Sequence, residues 1–109
     1  SSEQTIRIEI EGDNITMEGD VHGSLRAEGH VTCGNVTGDV QAEGYVQSGD
    51  VTGDVKAEAH VHCGAVTGDV RAEGDIHCGP ITGDARAEGS IECGTVTGDV
   101  TANGDVRMT

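Results

Sequence analysis

From Val21 onward, apolar residues and glycines hold every second position for thirteen residues, the alternation slips by one, and the pattern restarts after fifteen. Alternation with period two is the signature of a strand, whose successive side chains point to opposite faces. The copies read VHGSLRAEGHVTCGN, VTGDVQAEGYVQSGD, VTGDVKAEAHVHCGA, VTGDVRAEGDIHCGP, ITGDARAEGSIECGT and VTGDVTANGDVRMT, the last one residue short. Self-similarity at a fixed period marks a repeat architecture in which each unit buries its apolar face against its neighbours.

Columns of this alignment assign the environments. The first position is Val21, Val36, Val51, Val66, Ile81 and Val96, the fifth Leu25, Val40, Val55, Val70, Ala85 and Val100, and the eleventh Val31, Val46, Val61, Ile76, Ile91 and Val106. The seventh is Ala throughout, from Ala27 to Ala102, and the thirteenth is Cys33, Ser48, Cys63, Cys78, Cys93 and Met108. These are the expected inward columns. Glycine fills the third position, the ninth except at Ala59, and the fourteenth from Gly34 to Gly94. Glycines in the inward register predict three sharp bends per unit with no room for a side chain, hence three short sides. The predicted fold is all-β: a single-stranded, three-sided parallel β-helix, or β-solenoid, with about 15 residues per rung and rungs about 4.8 Å apart.

Residues 1–20 differ from the repeats. Ile6, Ile8 and Ile10 alternate with Arg7, Glu9 and Glu11, and Ile15 and Met17 fit the eleventh and thirteenth places with one extra residue before Val21. This predicts an irregular starting rung continuous with the six-rung array 21–109, one domain in all. Solenoids normally blunt their termini, because an open end is an unpaired edge. Here neither end carries a capping helix or proline. The apolar residues Ile6, Ile8, Ile10, Ile15 and Met17 lie at one end, and Val100, Val106 and Met108 at the other. The expected partner is therefore a second copy, joined end to end; the alternative is that a partner or further sequence covers the ends.

Composition narrows the function classes. With no Trp or Phe and a single Tyr, no aromatic core is available, and disorder would not hold Val, Ala and Gly in fixed columns. A formal net charge of -14 argues against nucleic acid, whose binding requires cations at phosphates, and against anionic membranes. There is no long apolar run or signal-peptide pattern, although a chain starting at Ser1 leaves a processed N-terminus open. No nucleophile with a base partner, phosphate loop or catalytic carboxylate pair stands apart from the repeat, so no enzyme and no cofactor are expected.

The outward columns hold the remaining chemistry. The second position is Thr from Thr37 to Thr97, the fourth is the acidic ladder Asp39, Asp54, Asp69, Asp84 and Asp99, the sixth carries Arg26, Lys56, Arg71 and Arg86, and the eighth is Glu from Glu28 to Glu88. Acid, base and acid in neighbouring columns predict cross-strand charge pairing on a solvated face. Stacked carboxylates also suit a hard cation such as Ca²⁺. A single Thr column, with Asp two residues along, is a poor match to an ice-binding face. His60 and His62 share their columns with Asp75 and His77 of the next rung, a patch of four candidate ligands for Zn²⁺, Cu²⁺ or Ni²⁺. Exposed histidines without a buried outer shell are more commonly just solvated. The cysteines, spaced by fifteen or thirty, lack the short pairs of a zinc ribbon and read as reduced, buried residues. A Cys63–Cys78 disulfide is conceivable by distance but awkward for parallel side chains. Reduced thiols point to the cytoplasm, with an extracellular filament left open.

The segments GDVRAEGDIHCG and GDVKAEAHVHCG resemble the bactofilins, bacterial polymer-forming cytoskeletal proteins, and in particular their short Gly- and Cys-rich relatives. The resemblance spans Val21–Thr109. It implies a right-handed three-sided β-helix assembling end to end into nucleotide-independent filaments that act as scaffolds, with possible protein clients on the faces. The segment SSEQTIRIEI has no counterpart of the membrane-tethering segment found in some members, so no direct membrane insertion is expected. The second functional expectation is a monomeric or capped binding module that docks a protein or polysaccharide through its acidic face, with divalent cations as possible bridges.

Overall fold

A computed structural model describes the backbone of residues 8–12 and the full residues 14–16 and 19–108. Ile6 and Met17, assigned above to an end of the coil, lie outside the described residues, as do the side chains of Ile8 and Ile10. The strands are β1 (Ile8–Gly12), β2 (Ile15–Thr16), β3 (Gly23–Ala27), β4 (Val31–Thr32), β5 (Val40–Ala42), β6 (Val46–Gln47), β7 (Val55–Ala57), β8 (Val61–His62), β9 (Val70–Ala72), β10 (Ile76–His77), β11 (Ala85–Ala87), β12 (Ile91–Cys93), β13 (Val100–Ala102) and β14 (Val106–Met108). Odd-numbered strands form one seven-stranded sheet and even-numbered strands the other, each in sequential order. Every pairing is parallel.

The third side is thinner than the other two. It consists of isolated parallel bridges, Val21 to Val36, Val51, Val66, Ile81 and Val96 in succession. Two or three residues between corners are all that a fifteen-residue rung leaves for each side, so the strands are short and stability must come from stacking. Strand N–H groups donate to the rung above, as in Val40 N–H to the Asp54 carbonyl at 2.9 Å, while corner glycines donate to the rung below, as in Gly44 N–H to the Gly29 carbonyl at 2.8 Å. Each interior rung is thereby bonded in both directions.

Inside, the first, fifth, seventh and eleventh columns are buried from Val21 through Ile91, almost all at 1–3 % exposure. Val and Ile dominate because a β-branched side chain fits a pleated strand. Full burial of each contributes roughly 1.5–3 kcal/mol. The thirteenth column is buried at Cys63, Cys78 and Cys93 and only partly so at Cys33 and Ser48.

The starting rung keeps the register with a compensated irregularity. β1 pairs with β3 fifteen residues on, placing Ile8 opposite Gly23 and Ile10 opposite Leu25. β2 pairs with β4 sixteen residues on, Ile15 opposite Val31, which is the eleventh place. By Gly19, whose carbonyl accepts from Gly34 N–H at 2.8 Å, the interval is fifteen again. One residue is thus missing between Gly12 and Ile15, and the extra one falls between Thr16 and Gly19.

The glycine columns depart from the expectation of inward positions without room. They are partly exposed along the coil, and what a side chain would strike is the rung below. A Cβ on Gly68 would meet the Gly53 carbonyl oxygen at 2.7 Å and collide with Asp54 Oδ1. Among the described residues only Gly19 and Gly23 have positive φ, 119° and 147°, so the other corner glycines are required by close approach of backbones and not by an unusual backbone conformation.

Candidate functional site

Each of the three corners is a glycine followed by one residue that turns its side chain along the coil. At the fourth position, Asp39 Oδ1 accepts from Asp54 N–H at 2.9 Å, Asp54 Oδ1 from Asp69 N–H at 2.8 Å, Asp69 Oδ1 from Asp84 N–H at 2.7 Å, and Asp84 Oδ1 from Asp99 N–H at 2.7 Å. Ser24 starts this column by accepting from Asp39 N–H at 3.2 Å. At the tenth position Asn14 accepts from His30, His30 Nδ1 from Tyr45, His60 Nδ1 from Asp75, Asp75 from Ser90 and Ser90 from Asp105. At the fifteenth, Asp20 accepts from Asn35, Asn35 from Asp50 and Asp50 from Ala65. A corner residue's N–H faces outward with no strand partner, so an acceptor from the neighbouring rung satisfies it.

The acceptor explains the glycine above it. To reach the N–H, the side chain must lie over the preceding residue of the next rung: His30 over Gly44, Asp75 over Gly89, Asp84 over Gly98. Two exceptions obey the same rule. Tyr45 has no acceptor that could fold back in this way, and Ala59 stands above it where every other ninth position is Gly. Tyr45 instead stacks on His30, ring centroids 3.8 Å apart and planes at 16°. Ala65 offers no acceptor either, and the residue above it, Pro80, has no N–H to satisfy.

This geometry reassigns the acidic ladder. Asp39, Asp54, Asp69 and Asp84 spend an oxygen each on the rung above, pointing along the coil and not across the face toward Arg and Lys. The predicted pairing of acidic and basic columns is absent among the described residues: the close approaches are His77 Nδ1–Glu92 Oε1 at 3.5 Å, an ion pair only when the imidazole is protonated, and His60 Nδ1–Asp75 Oδ2 at 3.9 Å, where Nδ1 is the acceptor for Asp75 N–H and carries no proton. In-register stacking places Lys56 beside Arg71 and Arg71 beside Arg86, like next to like.

The predicted metal patch also resolves differently. His60 and Asp75 lie at a corner, where Asp75 N–H donates to His60 Nδ1 at 3.2 Å. His62 and His77 lie on a sheet and stack, centroids 4.8 Å apart. The four form two pairs, and among the described residues no three His, Cys, Asp or Glu side chains are grouped to hold a metal ion.

The cysteine column is where ionisation is most perturbed. Burial raises the thiols of Cys33 and Cys93, and contact with Cys78 followed by burial raises that of Cys63 far above the ordinary range. All four are free thiols.

The last rung completes the functional geography. Val106 is 47 % exposed and Met108 44 %, in columns where Ile91 and Cys93 below are 1 % and 3 % exposed. Val100 and Ala102 are half-buried above the buried Ala85 and Ala87.

The acceptor roles of Ser24, Asn35, Asp50 and Ser90 are absent from the sequence reading. Their signal was a small oxygen-bearing residue directly after a corner glycine, fifteen residues apart. No family model, curated protein or solved structure matches the chain. No helix among the described residues is long and apolar enough to cross a membrane.

Proposed function

We propose that this chain is a self-assembling structural protein, its coil extended by stacking on a second copy into a filament or scaffold of the kind the bactofilin resemblance implies. The β-solenoid is an architecture suited to a structural repeat protein, and the observation that carries the finer reading is the exposed apolar edge of the last rung. Val106 and Met108 are large apolar groups at the ends of columns that are buried in the rungs directly below, at Ile76 and Ile91 and at Cys78 and Cys93. Among the described residues β13 and β14 each have one strand neighbour, and such an edge templates further parallel pairing.

Register supports the starting rung of a second copy as the occupant. Ile10 belongs to the column of Val100 and Ile15 to that of Val106, so two aliphatic columns continue across such a junction. The corner ladder does not continue at the fourth position: Ile8 stands in the glycine column, where an acceptor such as Asp99 needs a glycine above it. Aliphatic contact therefore dominates the junction, and chelator has no effect on it.

Negative-stain electron microscopy and sedimentation velocity of the chain and of Val106→Asp, each with and without chelator, test the reading. Filaments that disappear in Val106→Asp, with its circular dichroism unchanged, support it. Monodisperse short particles from the unmodified chain under every condition overturn it and favour a binding module acting through the faces.

A further inference from the structure

The thirteenth-position column is the inward column that carries reactive groups. Cys63, Cys78 and Cys93 stand on successive rungs at 5 %, 7 % and 3 % exposure. Neighbouring parallel strands are about 4.8 Å apart, inside the Cα window of roughly 4.4–6.8 Å that a disulfide spans. Cys33 is separated from Cys63 by the rung of Ser48, which puts it outside that window. Among the pairs that distance allows, Cys63 and Cys78 are already in contact, Sγ to Sγ 2.9 Å. The parallel attachment that made a bridge look awkward is overcome because both thiols turn toward one another.

A surface depression of about 460 Å³ opens beside this pair, lined by His77, Cys78, Gly79, Pro80, Cys93 and Gly94 among others. It lies at the corner where Ala65 and Pro80 interrupt the acceptor ladder. No carboxylate from the rung below folds over Gly79, where an added Cβ would meet only backbone atoms, at 3.3–3.5 Å.

We propose that Cys63 and Cys78 are a redox pair that closes into a disulfide between adjacent rungs when the protein meets hydrogen peroxide, with Cys78 as the thiol that meets the oxidant. The Cys78 sulfur attacks one peroxide oxygen; the O–O bond breaks, Cys78 becomes a sulfenic acid and one water leaves with the thiol proton. The Cys63 sulfur then attacks the Cys78 sulfur; the S–S bond forms, the S–O bond breaks, and the hydroxyl departs as a second water with the Cys63 proton. The two thiols lose two electrons and hydrogen peroxide is reduced to two waters. Cys78 lines the depression and Cys63 does not, which gives Cys78 the first step and leaves Cys63, in contact behind it, the second. The product staples two successive rungs. The pairing is independent of whether copies assemble.

Trypsin separates the participants, since cleavage after Lys56, Arg71, Arg86 and Arg107 puts Cys63, Cys78 and Cys93 on three different peptides. The folded chain is treated with hydrogen peroxide, quenched with an alkylating agent, and examined by intact mass and by peptide mapping without reductant, beside Cys63→Ser, Cys78→Ser and Cys93→Ser. Serine is tolerated in this column, as Ser48 shows. The expected result is loss of two hydrogens, a Cys63–Cys78 linked peptide pair that dithiothreitol separates, retention of the link in Cys93→Ser, and a dimedone-reactive Cys78 in Cys63→Ser. Four alkylatable thiols after peroxide, oxygen addition without a link, or a Cys78–Cys93 link in the unmodified chain would each overturn the proposal.

Discussion

Two corners of the same coil behave differently. At the corner of Gly53 and Asp54 the acceptor column runs without interruption from Ser24 to Asp84, each side chain holding the N–H of the rung above. At the corner of Gly64 and Ala65 the column of Asp20, Asn35 and Asp50 stops, and the next rung places Pro80 where an N–H would have gone unsatisfied. From Ala65 to Pro80, acceptor and donor lapse together. The difference teaches that these stacked aspartates are held by their backbone partners, which offset the repulsion between like charges, and that a glycine above an acceptor lets that acceptor reach its N–H, while Gly79 and Gly94 answer only to the backbone beneath them.

The largest break in this comparison comes from filling the space. Gly68→Val drives a branched side chain into the Gly53 backbone and Asp54, and is expected to cost more than about 3 kcal/mol or to prevent folding. Gly79→Ala, at the lapsed corner, is expected to cost about 1 kcal/mol or less, because the new Cβ would come no closer than 3.3 Å to any atom. Urea unfolding of both variants gives the ratio.

The interior of these rungs supplies a pH test. A thiol whose proton is held more tightly in the folded state than in the unfolded chain contributes stability below the unfolded pKa of roughly 8.5, and that contribution falls as pH rises beyond it. Cys63 is such a group. Above about pH 9 the unfolding free energy of the reduced protein is expected to decline by up to about 1.4 kcal/mol per pH unit for this thiol. Cys63→Ser should flatten the decline; an unchanged slope in that variant would assign it elsewhere.

Removing one acceptor is a smaller perturbation. Asp69→Ala leaves the Asp84 N–H to water and is expected to cost about 1 kcal/mol, whereas Asp69→Asn, which keeps an oxygen in place, should stay within about 0.5 kcal/mol. Equal losses in the two variants would mean that charge, not acceptor geometry, holds the corner.

The finest test repairs the lapsed corner. Ala65→Asp and Pro80→Asn together recreate an acceptor and its N–H, and a double-mutant cycle is expected to show a favourable coupling of about 0.5–1 kcal/mol that neither single change delivers. Additive effects would separate the pairing of Ala65 with Pro80 from the ladder.

By itself the sequence determined the coil. The fifteen-residue period, the five inward columns and the irregular entry at Ile15 were all legible, because a strand's alternation and a rung's repeat length leave few ways to bury small aliphatics. The tertiary structure alone decided the axial relations. The Asp column looked like a charged face because alternation reports inward or outward and is silent on a side chain that turns toward the next rung. His60, His62, Asp75 and His77 looked like one patch because columns give neighbours, not the corner or sheet on which each neighbour sits. The contact of Cys63 with Cys78 and the opening beside Pro80 depend on rotamers and on a missing acceptor one rung's length of chain away, relations that exist only once the rungs are stacked.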